Sequence, residues 1–203
     1  MPTSPWRRAV VWIPALLIAL SCRSTVSEPP IALTEDERAL VAALVRDEAA
    51  SLRKPRPILL LDSTDTSLPP DMSFPKPDDV PADAWEEMWR DHRLTAELRD
   101  ANLQSYSIGR IDLPSGARLY PREQFHREYT TDEGTDRMLK RLGGVEPLVL
   151  EVSRPAISSD GEHASIVVTV YAVWTGCGGT NLYSASRLDG RWRLKLSSVL
   201  VFW

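Results

Sequence analysis

The sequence predicts an α+β fold in which an N-terminal amphipathic helix packs on a mainly antiparallel sheet that ends in a C-terminal β-meander. Three observations predict it. Residues Thr34 to Val45 join a helix-start signal to apolar residues at helical spacing. The last third of the chain alternates in character with the period of a strand. Turn signals, "SSDG" at 158–161 and Asp189-Gly190, cut that third into successive strands with no helical stretch between them.

Each element has its own local cause. Thr34 and Glu37 form the Thr-x-x-Glu capping box, and Glu35 and Asp36 complement the positive end of the helix dipole. Leu40, Val41, Leu44 and Val45 then fall on one face and Arg38, Arg46 and Asp47 on the wet one, until Pro55 and Pro57 end the helix. Ile58 to Leu61 is short and apolar enough for a buried strand, and Asp62 to Ser67 reads as a polar turn. The proline-rich stretch from Leu68 to Pro81 reads as a loop, and a second helix carrying Trp85, Met88 and Trp89 is expected to run on through Leu98. Short strands are expected at Tyr106 to Ile108 and Ala117 to Tyr120, with helical turns at Pro121 to His126 and Thr135 to Leu142, the last closed by Gly143 and Gly144. The meander follows. Leu148 to Val152 is its first strand, and the second places Ala164, Ile166, Val168, Val170, Ala172 and Trp174 on one face. "TGCGGT" (175–180) reads as a tight connection, Leu182 to Leu188 as the third strand and Trp192 to Trp203 as the last.

The N-terminus carries a different kind of information. Arg7 and Arg8 precede an apolar run from Ala9 to Leu20 that is too short to span a bilayer, for which roughly 20 residues are needed. It has the length of a secretory signal core. The run stops at Ala19-Leu20-Ser21-Cys22, which resembles the lipobox of bacterial lipoproteins. That resemblance implies thioether attachment of diacylglycerol to Cys22, cleavage before it and acylation (palmitate among the acyl groups) of the new N-terminus. It also implies a cell-envelope location, with Arg23 favouring the outer over the inner membrane in a host with two. Residues 1–21 are then a signal peptide, 22–33 a lipid-anchored tether and 34–203 one α+β domain. Losing Arg7 and Arg8 moves the net charge from −4 to −6. This mildly acidic chain holds no basic block suited to nucleic acid. With Cys22 lipidated, Cys177 has no intrachain partner.

A second resemblance covers most of residues 57–203. The succession "LLLDSTDT", "DANLQSYSI", "LVLEVSRPAISSDGEHASIVVTVYAVWTGCGG" and "LYSASRLDGRWRL" is similar to a broad group of bacterial envelope proteins of undetermined activity. Their ending runs Ser-Arg, strand, Ala-containing strand, Cys-Gly loop and Lys-Asp-Gly-x-Trp hairpin. Members often carry two cysteines at the glycine loop where this chain has Cys177 alone, so no disulfide is carried over. The resemblance implies continuity of fold and no activity.

Candidate chemistry is sparse. "ILLLDSTDT" resembles the nucleophile strand of haloacid-dehalogenase phosphatases, but Asp62 and Asp65 are three apart where that chemistry needs two carboxylates two apart around Mg²⁺. Cys177 between glycines has the setting of an activated thiol, which would need a base from His92, His126 or His163. The histidines lack metal-ligand spacing, and no phosphate loop, dinucleotide fingerprint or other cofactor motif occurs. Arg187, Arg191, Arg193 and Lys195 gather around the last hairpin, a candidate basic surface for lipid headgroups, anionic glycan or an acidic partner. No catalytic set assembles. The expectation is a non-enzymatic envelope lipoprotein that binds membrane lipid through acylated Cys22 and contacts an envelope protein. The alternatives are a hydrolase or thiol enzyme using Asp62, Asp65 or Cys177, and a small-ligand carrier.

Overall fold

A capping box starts the fold. In the structure, a computed structural model describing residues 31–66, 97–173 and 177–202, Thr34 accepts from the Glu37 amide while Glu37 reaches back to the Thr34 amide. Helix α1 (Glu35–Ser51) follows and buries Leu40, Val41, Leu44 and Val45. Its entry is clasped from outside. The Leu33 amide donates to the Ser107 carbonyl and the Ser107 amide to Ile31, both at 3.0 Å, so Ser107 bridges Ala32 on one side and Ser63 on the other.

The sheet is mixed. Strands β1 (Ile58–Leu61), β2 (Ala117–Tyr120) and β3 (Leu148–Val152) are mutually parallel, with β1 central. Between β2 and β3 lie helices α2 (Arg122–Tyr129) and α3 (Asp132–Arg141). Strands β4 (Ala156–Ile157), β5 (His163–Ala172), β6 (Cys177–Leu188) and β7 (Arg191–Phe202) add antiparallel pairings, giving the order β2-β1-β3-β5-β6-β7 with β4 beside β5. This is the α+β arrangement expected, helix α1 lying on the sheet and the meander closing it.

Both faces of the sheet are covered. On one, the α1 residues meet Ile58, Leu60, Leu150, Ile166, Val168 and Trp192. On the other, Leu59, Leu61 and Val149 meet Phe125, Met138 and Leu139 of α2 and α3. The two helices sit close enough that a Cβ on Gly134 would lie 2.3 Å from the Glu128 carbonyl, which makes glycine obligatory there. A third cluster joins Leu98, in the helical residues 97–101, to Ala156, Val167 and Leu182. The final hairpin turns on Asp189 and Gly190, both at positive φ (50° and 71°), as a two-residue primed turn requires.

Four expectations need correction. Tyr106 to Ile108 is no strand; only Ser107 makes isolated bridges. The 62–66 segment is no wet turn, because Thr64 is fully buried. Its hydrogen bonds run to partners far away in the chain: Thr64 exchanges backbone bonds with Tyr106 and Asp65 donates to Val152, each at 2.8 Å. Cys177, Gly178 and Gly179 belong to β6, paired with Ala172, Tyr171 and Val170, so these glycines extend a strand. Finally, β7 does not alternate to its end. Leu182 pairs with Ser198 and Tyr183 with Leu196, skipping Ser197, and a second irregularity skips Leu200. Those bulges move Leu200 onto the cluster of Leu98, Val167 and Leu182. The expected positions of Cys22, His92, Trp85, Trp89, Trp174 and Trp203 lie outside the described residues.

Candidate functional site

Three parallel strands bring their C-terminal ends together, the place where open α/β sheets hold ligands. Asp62 follows β1 directly and its Oδ1 accepts from the Arg122 amide at 3.0 Å. That bond caps α2 from a distance, since its N-cap residue Pro121 offers no side-chain oxygen. The same helix projects Arg122 and, one turn later, His126. Glu151, next to the C-terminal end of β3, is only 2% exposed, on the face shared with Val149.

These residues form one network. Arg122 donates through Nε to Glu151 Oε1 and through Nη2 to Asp65 Oδ1, the latter at 3.0 Å. His126 Nε2 lies 3.2 Å from the same Glu151 oxygen. The Tyr171 hydroxyl, from β5, donates to Glu151 Oε2 at 2.6 Å. A buried carboxylate demands such company, because an unpaired charge in a protein interior costs several kcal/mol. Phe125 and Tyr129 hold the aromatic side of the cluster: Phe125 packs edge-on to His126 and Tyr171 at centroid distances of 5.4 and 5.1 Å.

The electrostatics follow from the packing. Burial drives the Tyr171 pKa far above its ordinary value, reinforced by its bond to Glu151 and by the Glu151 and Asp65 charges. Tyr171 therefore stays a neutral donor across the physiological range. Burial alone would lower the Arg122 pKa, yet its bonds and charge contacts with Glu151 and Asp65 raise it, fixing the cation. His126 has its ring part-exposed (39% of the side chain) while one nitrogen is held by a buried carboxylate. That is the arrangement of an oriented base. A cleft of about 250 Å³ borders the Asp62 and Arg122 end of the network, lined also by Ser63, Ser107, Pro121 and Glu123.

A second network sits on the α1 side. Arg154 donates to Glu37 at 2.6 Å and lays its guanidinium 4.2 Å from the Tyr106 ring centre. Asn102 clamps the same residue, donating to the Arg154 carbonyl at 2.8 Å and accepting from its amide at 2.5 Å. An open polar groove of about 640 Å³ runs beside it, lined among others by Thr34, Asp36, Glu97 and Arg187. A more apolar groove of about 460 Å³ lies at the other end of α1, between Leu52, Val170, Ala172, Tyr183 and Val199.

Of the residues singled out by sequence, Asp62 and Asp65 converge on Arg122, one through its amide and one through its side chain. Among the described histidines, His126 reaches the same network, through Glu151. His163 stands at the far end of β5, opposite Ser186. The backbone of Cys177 opens β6, and its side chain lies outside the described atoms. The basic group divides. Arg191, Arg193 and Lys195 are exposed along one face of β7, whereas Arg187 pairs with Trp192 on the α1 face, bonded to Asp36 at 2.8 Å and lying over the Trp192 ring. No sequence motif marks Arg122, Glu151 or Tyr171 as part of a site. The available signal was "LVLEV", a single acid inside an otherwise apolar buried strand.

Among the described residues, no group of three or more His, Cys, Asp or Glu is placed to hold a metal ion. No described helix is long and apolar enough to cross a membrane. Compared with protein-family models, curated proteins and solved structures, the chain matches none.

Proposed function

We propose that this protein is a lipid-anchored component of the bacterial cell envelope whose domain acts by binding. The apolar run that stops at Ser21-Cys22 supports the anchor, and the nine residues from Cys22 to Pro30 would reach roughly 30 Å at full extension. One observation carries the reading of the domain. At its densest polar cluster, both oxygens of Glu151 are already taken, by Arg122, His126 and Tyr171, so the carboxylate anchors architecture. The test is the intact mass of protein extracted from host membranes, beside Cys22→Ser. A chain starting at Cys22 and heavier by two or three acyl groups, with the variant released from the membrane, is expected. An unlipidated chain would sink the anchor.

A second reading, a hydrolase, draws on one feature: His126 is oriented by Glu151 next to a fixed cation, with Asp62 and Asp65 alongside. Under it, His126 is the base. Turnover of p-nitrophenyl esters or phosphates by the purified protein, abolished by His126→Gln, would establish that reading in place of the first.

A further inference from the structure

Strand β7 closes the sheet on its open side, and among the described residues nothing pairs with its outer edge. Such an edge offers a row of free amides and carbonyls to any extended chain. Arg191, Arg193 and Lys195 project from one face of it and are exposed. They make no ion pair among the described residues. Their cross-strand neighbours on β6 are Leu188, Ser186 and Ser184, none of which supplies a negative charge. Asp36, on the α1 face of the sheet, is bound to Arg187. On the opposite face, the regular part of the edge ends in Leu196, whose surface is 49% exposed.

We infer that the Arg191–Leu196 edge accepts an extended acidic segment of a partner protein as an added β-strand. This rests on the reading that the domain works by binding. Two features define the segment. Every second residue would be Asp or Glu, facing Arg191, Arg193 and Lys195 at the two-residue repeat of a strand. The residues between would be apolar, covering Leu194 and Leu196. The bulges at Ser197 and Leu200 bend the strand beyond this stretch and confine pairing to its first half. The free backbone edge favours a peptide over a lipid surface, because headgroups use the charges alone.

The test uses the full chain in detergent with a fluorescent peptide of alternating Glu and Val. Saturable binding is expected, weakened at least tenfold by Arg193→Glu with Lys195→Glu, while the circular dichroism of the variant stays unchanged. N-methylation of alternate peptide amides keeps the charge and blocks strand pairing, so it should abolish binding. Hydrogen exchange should slow at residues 191–196 when the unmethylated peptide is added. Equal binding of the methylated peptide, or of one with the same composition in blocks, would leave only a charged surface and overturn the proposal. So would failure of the alternating peptide to bind, or binding confined to anionic vesicles. None of these outcomes depends on whether Cys22 is lipidated.

Discussion

The two ends of the sheet treat charge in opposite ways. At the β1–β2–β3 end, Asp62, Asp65, Arg122, His126 and Glu151 lie under or beside α2, and each has a protein partner. At the β7 end, Arg191, Arg193 and Lys195 stand exposed above serines and a leucine. Both ends carry several charged residues. Burial separates them, because a charge taken out of water must be paired to be tolerated, whereas one left in water need not be. The first end is therefore where substitution should hurt the fold, and the second is where it should spare the fold and touch recognition.

Several substitutions bear on that contrast. Glu151→Ala removes the hub, taking one acceptor from Arg122, which keeps Asp65, and the carboxylate to which Tyr171 donates; a loss of about 3–5 kcal/mol in denaturant unfolding is expected. A loss under 1 kcal/mol would mean the hub is not structural. Tyr171→Phe should cost about 1.5–3 kcal/mol, since it removes one hydrogen bond to a charged group. Its pH signature sharpens the point. Because the Tyr171 pKa is raised in the folded state, the protonated hydroxyl favours folding, and its contribution is full below the unfolded tyrosine value near 10. It fades as pH climbs above that value toward the folded one. Wild type should therefore lose stability faster than Tyr171→Phe on going to alkaline pH, as followed by thermal melts, and ultraviolet titration should show a tyrosine that resists ionisation.

Thr34→Ala breaks the capping box of α1 and should cost about 1 kcal/mol, read from the melting temperature. Arg193→Ser with Lys195→Ser should stay within about 0.5 kcal/mol of wild type in the same melt. A large loss there would erase the distinction between the two ends.

Much of the architecture was legible because it has local causes. Thr34 and Glu37 announce α1; "ILLL", "ARLY" and "LVLEV" are strands at those same residues; Asp189-Gly190 sets the last hairpin. The misreadings came where a local signal was overruled by pairing. Gly178 and Gly179 look like a turn but are drawn into β6 by Tyr171 and Val170. Leu200 looks in phase with Leu194 but is shifted by two bulges. The Glu151 network was illegible for another reason. Its members come from positions 65, 122, 126, 151 and 171, and they meet through the parallel pairing of β1 with β2 and β3 together with the antiparallel pairing of β3 with β5. Asp62 and Asp65 were noticed for a catalytic spacing they do not have, and they prove to hold the end of α2 and its arginine in place.

The Ser107 clasp carries a mechanical consequence. Tension arriving along the backbone from residue 30 meets the pairing of Ile31 and Leu33 with Ser107 before it reaches α1. Two hydrogen bonds, worth about 1 kcal/mol each, and the buried Leu33 side chain, worth about 1.5–3 kcal/mol, resist it there. The clasp is thus a fuse in series with the helix.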